Sequence, residues 1–557
     1  MRNFKSNNSA LWRIVGGVTA VLILLTLFST GCNSPSQAAN NSLPTQMPTA
    51  AVAASVPTLA PTLTPTPEPP KINLISPADG DRVDLGQSVN LVVSANDPNG
   101  IRLINLTSNG QAIGLLQGSD RTTLELDQTW TPEYAGTHEI TAILTNRAGE
   151  TMATEPIQIK VIDQDVLARN APIWGKVEAN VIDLRNLAPL EPVEPTLLSQ
   201  TELRQRLTSN YFYTEAEANR DALILYAFDF VTRDYDLYSL SRRFLGENIA
   251  GFYDPESKEF VVVSGDDETN ALEQWTYAHE FMHALQDQHF QLGLITDATA
   301  GFEGDMALRA LAEGEAELVQ DYYLEWGYFS ESDQIEMFNE SNKLYGFAFV
   351  SDPGYFPHAL TNAFIFPYTT GHDFAAALFA RNGWDGLNAA WENLPQSTEQ
   401  IIHPDRYFAG DAPQIMTLPP LTDTLGSGWT LTEEAVLGEF YLREYLIQQL
   451  DGGTVDTAAT GWGGDRYAVY WHEESDDLVL VLRTAWDSGS DADQFMAAYT
   501  RYTDARYGPI GQVQTDGGTC WASAVATCAY AAGGEVLVVR APDVDTAVAL
   551  AAAIREE

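Results

Sequence analysis

Cysteine is scarce in this chain of 557 residues: Cys32, Cys520 and Cys528 are the whole complement. Three thiols exclude a disulfide scaffold and a thiolate metal cluster, and leave Cys520 and Cys528 as the one candidate pair. Positive charge is scarce as well, with 30 Lys and Arg against 76 Asp and Glu and a formal net charge of −46. Nucleic-acid binding needs clustered Lys and Arg, so no such partner is expected. Only eight histidines occur, so two of them placed four residues apart around a glutamate carry weight. In contrast, 45% hydrophobic and 10% aromatic residues give a globular composition, and the length predicts two to four domains with ample core.

At the N-terminus, Arg2, Lys5 and Arg13 lead into an apolar run from Ile14 to Phe28, then Ser29-Thr30-Gly31-Cys32. A basic segment, a short apolar run and small residues describe an export signal over residues 1–31. The run is short for a spanning helix. Its end resembles the lipobox of bacterial lipoproteins, with Ser29 in place of the usual leucine. That resemblance implies lipidation of Cys32 and a lipid anchor on the outer face of the membrane; an uncleaved N-terminal anchor is the alternative. Residues 32–70, rich in Thr and Pro, cannot bury enough apolar surface to fold and read as a disordered linker.

Residues 71–163 change to short alternating runs, as in Val89–Val93, Arg102–Leu106 and Ile140–Leu144, separated by turn signals such as Asp97-Pro98-Asn99-Gly100. Roughly seven strands in about 90 residues predict an all-β sandwich. Ile75-Ser76-Pro77-Ala78-Asp79-Gly80 and Tyr134–Ile140 resemble bacterial immunoglobulin-like (Ig-like) modules, although no cysteine is present for an inter-sheet disulfide. Such a module implies a spacer or a binder of a cell-surface ligand.

From residue 164 the period becomes helical. Thr214-Glu215-Ala216-Glu217 is a capping box opening a helix through about Val231. Ile249–Tyr253 and Glu259–Val263 flank a turn and predict a hairpin just before the stretch that matters most, Tyr277-Ala278-His279-Glu280-Phe281-Met282-His283. On a helix, His279 and His283 lie one turn apart and reach one ion, with Glu280 beside them as a general base. The spacing predicts a helix from about Asn270 to His289, its core stripe formed by Leu272, Trp275, Ala278, Met282 and Leu285.

A catalytic zinc needs a third protein ligand. His289 stands ten residues after His279, the metzincin spacing, but Gln286 stands where metzincins turn off the helix at glycine. On a continuous helix His289 rotates by about 1000°, away from the other two histidines. The other candidate is Glu313, in Glu313-Gly314-Glu315-Ala316-Glu317, on a second helical pattern from about Asp305 to Trp326. This Glu-Gly-x-Ala pattern after HExxH resembles the third-ligand helix of gluzincins, above all the aminopeptidase N clan, with Ala312 replacing that clan's asparagine. The resemblance implies Glu313 as ligand and Glu317 as the carboxylate that hydrogen-bonds a ligand histidine. The stretch Phe366–Phe374 reads as opening another helix, and its Pro367-Tyr368-Thr369-Thr370-Gly371 resembles the same clan, which implies Tyr368 as donor to an oxyanion, with His372 sharing that task or orienting Tyr368. Gln396–Pro404 resembles a segment of bacterial proteins with the same HExxH and Glu-Gly pair; there His403 reads as structural.

Residues 164–428 are therefore expected to form a mainly α (α+β), zincin-like metallopeptidase domain, hydrolysing peptide bonds of peptide or protein substrates with one Zn2+ and Glu280 as base. The alternatives are a non-catalytic surface binding lipoprotein with a vestigial metal site, or a zinc hydrolase of a non-peptide bond. Residues 429–557 predict a separate α+β domain. Thr430-Leu431-Thr432-Glu433 reads as a capping box opening a helix to about Leu450. Then a strand-strand-helix unit occurs twice: Tyr467–Trp471, Leu478–Arg483 and Asp491–Tyr502, then Trp521–Tyr530, Val536–Arg540 and Val544–Ile554. Cys520 and Cys528 can pair only if the chain turns between them.

Overall fold

The computed structural model describes residues 70–119, 121–198, 203, 214–240, 251–255, 257–263, 268–292, 302–337, 357–508, 512–515 and 517–556. The expected signal, Cys32 and nearly all of the linker lie outside them. The chain divides into two compact units between Ala168 and Arg169.

The N-terminal unit is all β. Its strands are β1 (Lys71–Ser76), β2 (Arg82–Asp84), β3 (Val89–Asn96), β4 (Ile101–Ser108), β5 (Gln111–Gln117), β6 (Thr123–Trp130), β7 (Gly136–Asn146), β8 (Thr151–Ala153) and β9 (Ile157–Ile162). One sheet runs β1-β3-β6, the other β2-β9-β7-β4-β5 with β8 on β7. Alternation explains the core. Val89, Leu91, Val93 and Ala95 point inward from β3, and Ile140, Ala142 and Leu144 from β7, while the residues between them are more exposed.

The second unit opens on α1 (Gln164–Arg185), then β10 (Pro195–Leu198), α2 (Glu215–Ala227), β11 (Gly251–Asp254) and β12 (Glu259–Val263). The three strands form a small sheet in the order β10-β12-β11, with β11 at its edge. Thr214 and Glu217 cap α2 reciprocally, but the helix ends at Ala227 rather than Val231, because Asp229 takes a positive φ of 60°. Next come α3 (Ala271–Phe290), α4 (Phe302–Glu325), α5 (His358–Asn382) and α6 (Trp384–Glu392). Asn270 and Glu273 form a capping box at the start of α3, and Gln291, in the left-handed conformation, ends it. The helix does not open at Phe366 as expected: α5 starts eight residues earlier and carries Pro367 inside it.

The C-terminal residues correct two expectations. Trp429–Ala435 is strand β13, not a helix start. A Thr-x-x-Glu run fits both states, and pairing of Thr430 with Trp471 and Leu431 with Tyr470 on the next strand decides it. The helix begins only at Gly438, as α7 (Gly438–Ile447), followed by α8 (Gly452–Ala459). The rest is β14 (Trp462–His472), β15 (Asp477–Trp486), α9 (Gly489–Tyr507), β16 (Gln512–Thr515), β17 (Gly518–Ala522), β18 (Ala526–Ala532), β19 (Glu535–Ala541) and α10 (Val544–Arg555). The sheet order is β13-β14-β15-β19-β18-β17-β16. The expected single strand Trp521–Tyr530 is thus two strands, whose turn sets Cys520 opposite Cys528 and joins them in a disulfide.

The strand-strand-helix order occurs twice, yet the two helices cover opposite faces. Phe495 and Tyr499 of α9 pack with Leu480, Leu482 and Val538, whereas Leu550 and Ile554 of α10 pack with Val479, Val481 and Val539. The first of these cores also takes in Leu308 and Leu311 of α4, Phe374 of α5 and Leu442 of α7. The boundary expected at 428/429 therefore does not separate two bodies: helices and sheet share one core, and residues 169–557 form one compact unit.

Candidate metal centre

Three helices bring the site together, and two glycines set how closely. A Cβ on Gly314 of α4 would stand 2.1 Å from the Gly371 carbonyl oxygen of α5, and one on Gly371 would stand 2.3 Å from the Ala310 oxygen. The helices cross backbone against backbone, a contact any larger residue prevents. Glu313 precedes the first glycine and Tyr368 lies one turn before the second, so this contact carries both side chains to α3.

There, His279 Nε2 lies 3.1 Å from Glu313 Oε2 and 3.0 Å from His283 Nε2, and His283 Nε2 lies 3.3 Å from the same carboxylate oxygen. Among the described residues this is the His/Cys/Asp/Glu group whose ligand atoms gather within 4.8 Å. All three residues are at most 1% exposed.

The outer nitrogens fix the chemistry of the inner ones. Gln320 gives its amide N–H to the Trp275 carbonyl at 2.9 Å, so its oxygen is what faces His279 Nδ1 at 3.1 Å. Gln286 likewise gives its N–H groups to the Ala312 carbonyl and the Glu315 carboxylate, both at 2.9 Å, and turns its oxygen to His283 Nδ1 at 2.8 Å. Each Nδ1 must therefore donate, which leaves each Nε2 lone pair aimed inward. Two imidazole lone pairs and a carboxylate then face one point, and only a cation satisfies all three. Without a metal a proton takes that part: burial would lower His283, but Glu313 and Glu280 outweigh it and hold it up at about 9. Burial lowers His279. Burial opposes the charge of Glu313, yet His283 and the hydrogen bonds from both imidazoles bring it down to about 2. Two nitrogens and one carboxylate oxygen suit zinc.

Glu280 is 1% exposed. Its Oε2 accepts the Tyr253 backbone N–H of β11 at 3.0 Å, and its Oε1 has no partner among the described residues. Burial raises its pKa to about 8. Tyr368 is buried, its ring 6.3 Å from that of His279. Burial, then the charges of Glu313 and Glu280, keep its phenol protonated. The surrounding frame is stiff: Arg185 donates to Glu315 at 2.6 Å and to Asn388 at 2.6 Å, and Trp391 donates to Glu315 at 2.7 Å.

Residues 70–142 match the family model of a bacterial Ig domain, and residues 429–551 match that of a domain of unknown function, DUF8575. The N-terminal sandwich is Ig-like. The second match begins at β13, inside a unit whose core is continuous across that point. No curated protein matches the chain. Among solved structures, fibronectin(III)-like modules of Clostridium thermocellum CbhA are 14% identical over 16% of this chain and 94% of theirs, with a TM-score of 0.14. An engineered protein is 23% identical over 17% of this chain and 21% of its own, with a TM-score of 0.14. A polysaccharide lyase is 12% identical over 57% of each chain, with a TM-score of 0.15. Likenesses this slight carry no argument.

Other expected residues fall differently. His289 sits at the far end of α3, its Nε2 2.7 Å from the Ala188 carbonyl, and takes no part in the cluster; the continuous helix turns it away, as its spacing implied. Glu317 Oε1 is 3.7 Å from His279 Nδ1 and has no hydrogen-bond partner, because Gln320 occupies that nitrogen. His372 pairs with Asp321 at 3.1 Å and Asp373 at 3.5 Å, and these contacts hold its pKa at about 10 against the effect of burial. His403 Nε2 meets Glu439 at 3.0 Å, a structural contact. Sequence reasoning missed Gln320 and Tyr253 and treated Gln286 only as a helix former. Gln286 lies three residues after His283 and Gln320 seven after Glu313, helical spacings that mark both as neighbours of the ligands.

Proposed function

We propose that this chain is a zinc-dependent metallopeptidase of gluzincin type, with His279, His283 and Glu313 as metal ligands. The observation that carries the proposal is the inward-facing trio of acceptor atoms, whose tautomers Gln286 and Gln320 fix. Zinc held there supplies a Lewis acid for the carbonyl under attack. The chain's own residues do the rest. Glu280 keeps one oxygen on the Tyr253 N–H and leaves the other free to take a proton from water. Its raised pKa makes it a stronger base and lets it carry that proton to the leaving amine. Tyr368, kept neutral, donates to the oxyanion. The edge strand β11, tied to Glu280, supports binding of an extended peptide by strand addition.

We also propose export and anchoring through a lipid on Cys32, with the Ig-like module as spacer or ligand binder at the cell surface. The Cys520–Cys528 disulfide supports an oxidising compartment. Replacing Cys32 by Ala should release the protein from the membrane fraction.

Elemental analysis of the purified protein should find one zinc per chain. Glu280→Gln should keep the zinc and lose activity on a peptide library by about 10²–10⁴-fold. Protein without bound zinc, or activity untouched by Glu280→Gln, would overturn the reading.

A further inference from the structure

The two histidines of the candidate centre are oriented by glutamines that are themselves anchored differently. Gln320 gives its amide N–H to a neutral acceptor, the Trp275 carbonyl, at 2.9 Å. Gln286 gives its own to the Ala312 carbonyl and to a carboxylate oxygen, Glu315 Oε2, both at 2.9 Å. Glu315 is gripped in turn from two other helices. Arg185, the last residue of α1, donates to its Oε1 at 2.6 Å, and Trp391 of α6 donates to its Oε2 at 2.7 Å. Arg185 Nη2 donates to Asn388 of α6 at 2.6 Å, and its guanidinium carbon lies 4.8 Å from the centre of the Trp384 ring. Arg185, Glu315, Gln286 and His283 are each at most 1% exposed. Among the described residues Glu315 thus meets three donors, which a carboxylate accepts together. A flipped Gln286 would set its oxygen against the Ala312 carbonyl and the Glu315 carboxylate at once. Hydrogen bonds to a charged acceptor are roughly twice as strong as neutral ones, so Gln286 is held more firmly than Gln320. The contact lengths agree: His283 Nδ1 lies 2.8 Å from its glutamine oxygen and His279 Nδ1 3.1 Å from its own. Apolar residues of the same volume commonly hold helices together as well as a buried ion pair does, so stability alone does not account for Arg185 and Glu315.

We propose that Glu315 is a positioning residue of the metal centre: fixed by Arg185 and Trp391, it sets the orientation of Gln286 and, through it, the nitrogen that His283 turns to the ion. The inference rests on His279, His283 and Glu313 as metal ligands, and not on which bond is cleaved. Influence runs from Arg185 to Glu315, Gln286 and His283 by hydrogen bonds of 2.6, 2.9 and 2.8 Å. Among the described residues no charged group hydrogen-bonds Gln320 in the same way. A disturbance of Glu315 therefore reaches His283 and spares His279, which makes His279 an internal control.

The test uses the full chain with isotope-labelled histidine, zinc-free and zinc-loaded, and follows the Nδ1–H signals of His279 and His283 by NMR. Gln320→Leu and Gln286→Leu assign the two signals. In the unmodified protein the His283 signal should exchange with water more slowly than that of His279. Glu315→Gln sets an amide N–H among three donors; it should speed exchange at His283 by about 10-fold or more and leave His279 unchanged. Chelator competition should then show zinc held about 10–100-fold more weakly. That loss should not recur when Glu315→Gln is added to Gln286→Leu, where the connection is already cut. Arg185→Lys, which keeps the charge without the fork, should act in the same direction by less. Additive losses in the double variant, equal disturbance of both histidines, or unchanged zinc affinity in Glu315→Gln would each overturn the proposal. Faster exchange at His283 than at His279 in the unmodified protein overturns it too, whatever the variants do to folding. If the unmodified protein takes no zinc, the metal reading falls, and exchange at His283 in Glu315→Gln decides the role of Glu315 without it. Zinc binding with no response to Glu315→Gln sinks only the role of Glu315.

Discussion

Two buried acidic clusters occupy the same unit and handle their charges in opposite ways. At the candidate metal centre, Glu313 and two imidazole nitrogens face one another, and Glu280 Oε1 has no hydrogen-bond partner among the described residues. In the second cluster, Glu303 accepts from the Thr398 N–H at 2.5 Å and from its hydroxyl at 2.9 Å. Asp465 accepts from the N–H groups of Leu437 and Gly438 at 2.7 and 2.9 Å and from Trp462 at 2.9 Å. Those contacts also cap α7, which has no local capping side chain. Burial raises Glu303 to about 8, the value reached by Glu280. A raised pKa therefore does not mark a site. What marks it is two imidazole nitrogens and a carboxylate oxygen gathered on one point; Glu303 and Asp465, met by donors, are scaffold.

The comparison breaks most completely if the helix crossing is forced open. Gly314→Ala should cost about 3 kcal/mol or more by overpacking and should prevent zinc binding, read by thermal unfolding and by metal content. Full zinc occupancy at an unchanged melting temperature would refute the crossing as the device that delivers Glu313. Tyr368→Phe should keep the zinc and lower kcat by about 10²–10³-fold, with KM little changed. Gln286→Leu and Gln320→Leu should each weaken zinc affinity by about 10–100-fold in a chelator competition. In the second cluster, Thr398→Val should leave zinc affinity unchanged while costing about 1–3 kcal/mol of stability, since it strips a donor from a buried carboxylate.

The smallest effect is on pH dependence. A carboxyl whose folded pKa is raised, as for Glu303, stabilises the fold fully below its unfolded pKa and loses that contribution as pH rises through about 8. Asp465, raised by burial to about 6, acts in the same sense. The melting temperature should fall between pH 5 and pH 8.5, and Glu303→Gln should make the fall shallower. A slope identical in the variant would remove Glu303 from the account.

Much of this unit was legible before any coordinates because its signals are local. The capping box at Thr214, the helix start near Asn270 and the apolar stripe from Leu272 to Leu285 are written within a few helical turns. The same local rule misled at Thr430–Glu433, where pairing with β14 outweighs a capping pattern. The boundary expected at 428/429 coincides with the start of the DUF8575 match, while packing across it joins α4, α5 and α7 to the sheet in one core. Gln320 was missed because its spacing from Glu313 marks it only as a neighbour on α4, whereas the histidine it orients lies on another helix.

The sequence by itself determined that His279, Glu280 and His283 share one helical turn and that His289 does not, since 3.6 residues per turn settles both. It also determined the alternation that makes the Ig-like sandwich. Only the tertiary structure decided that Glu313 meets those histidines, that Tyr253 holds Glu280, and that Cys520 finds Cys528. Each of these depends on distances between elements far apart in the chain. At the centre they turn on two glycines that let α4 and α5 touch backbone to backbone.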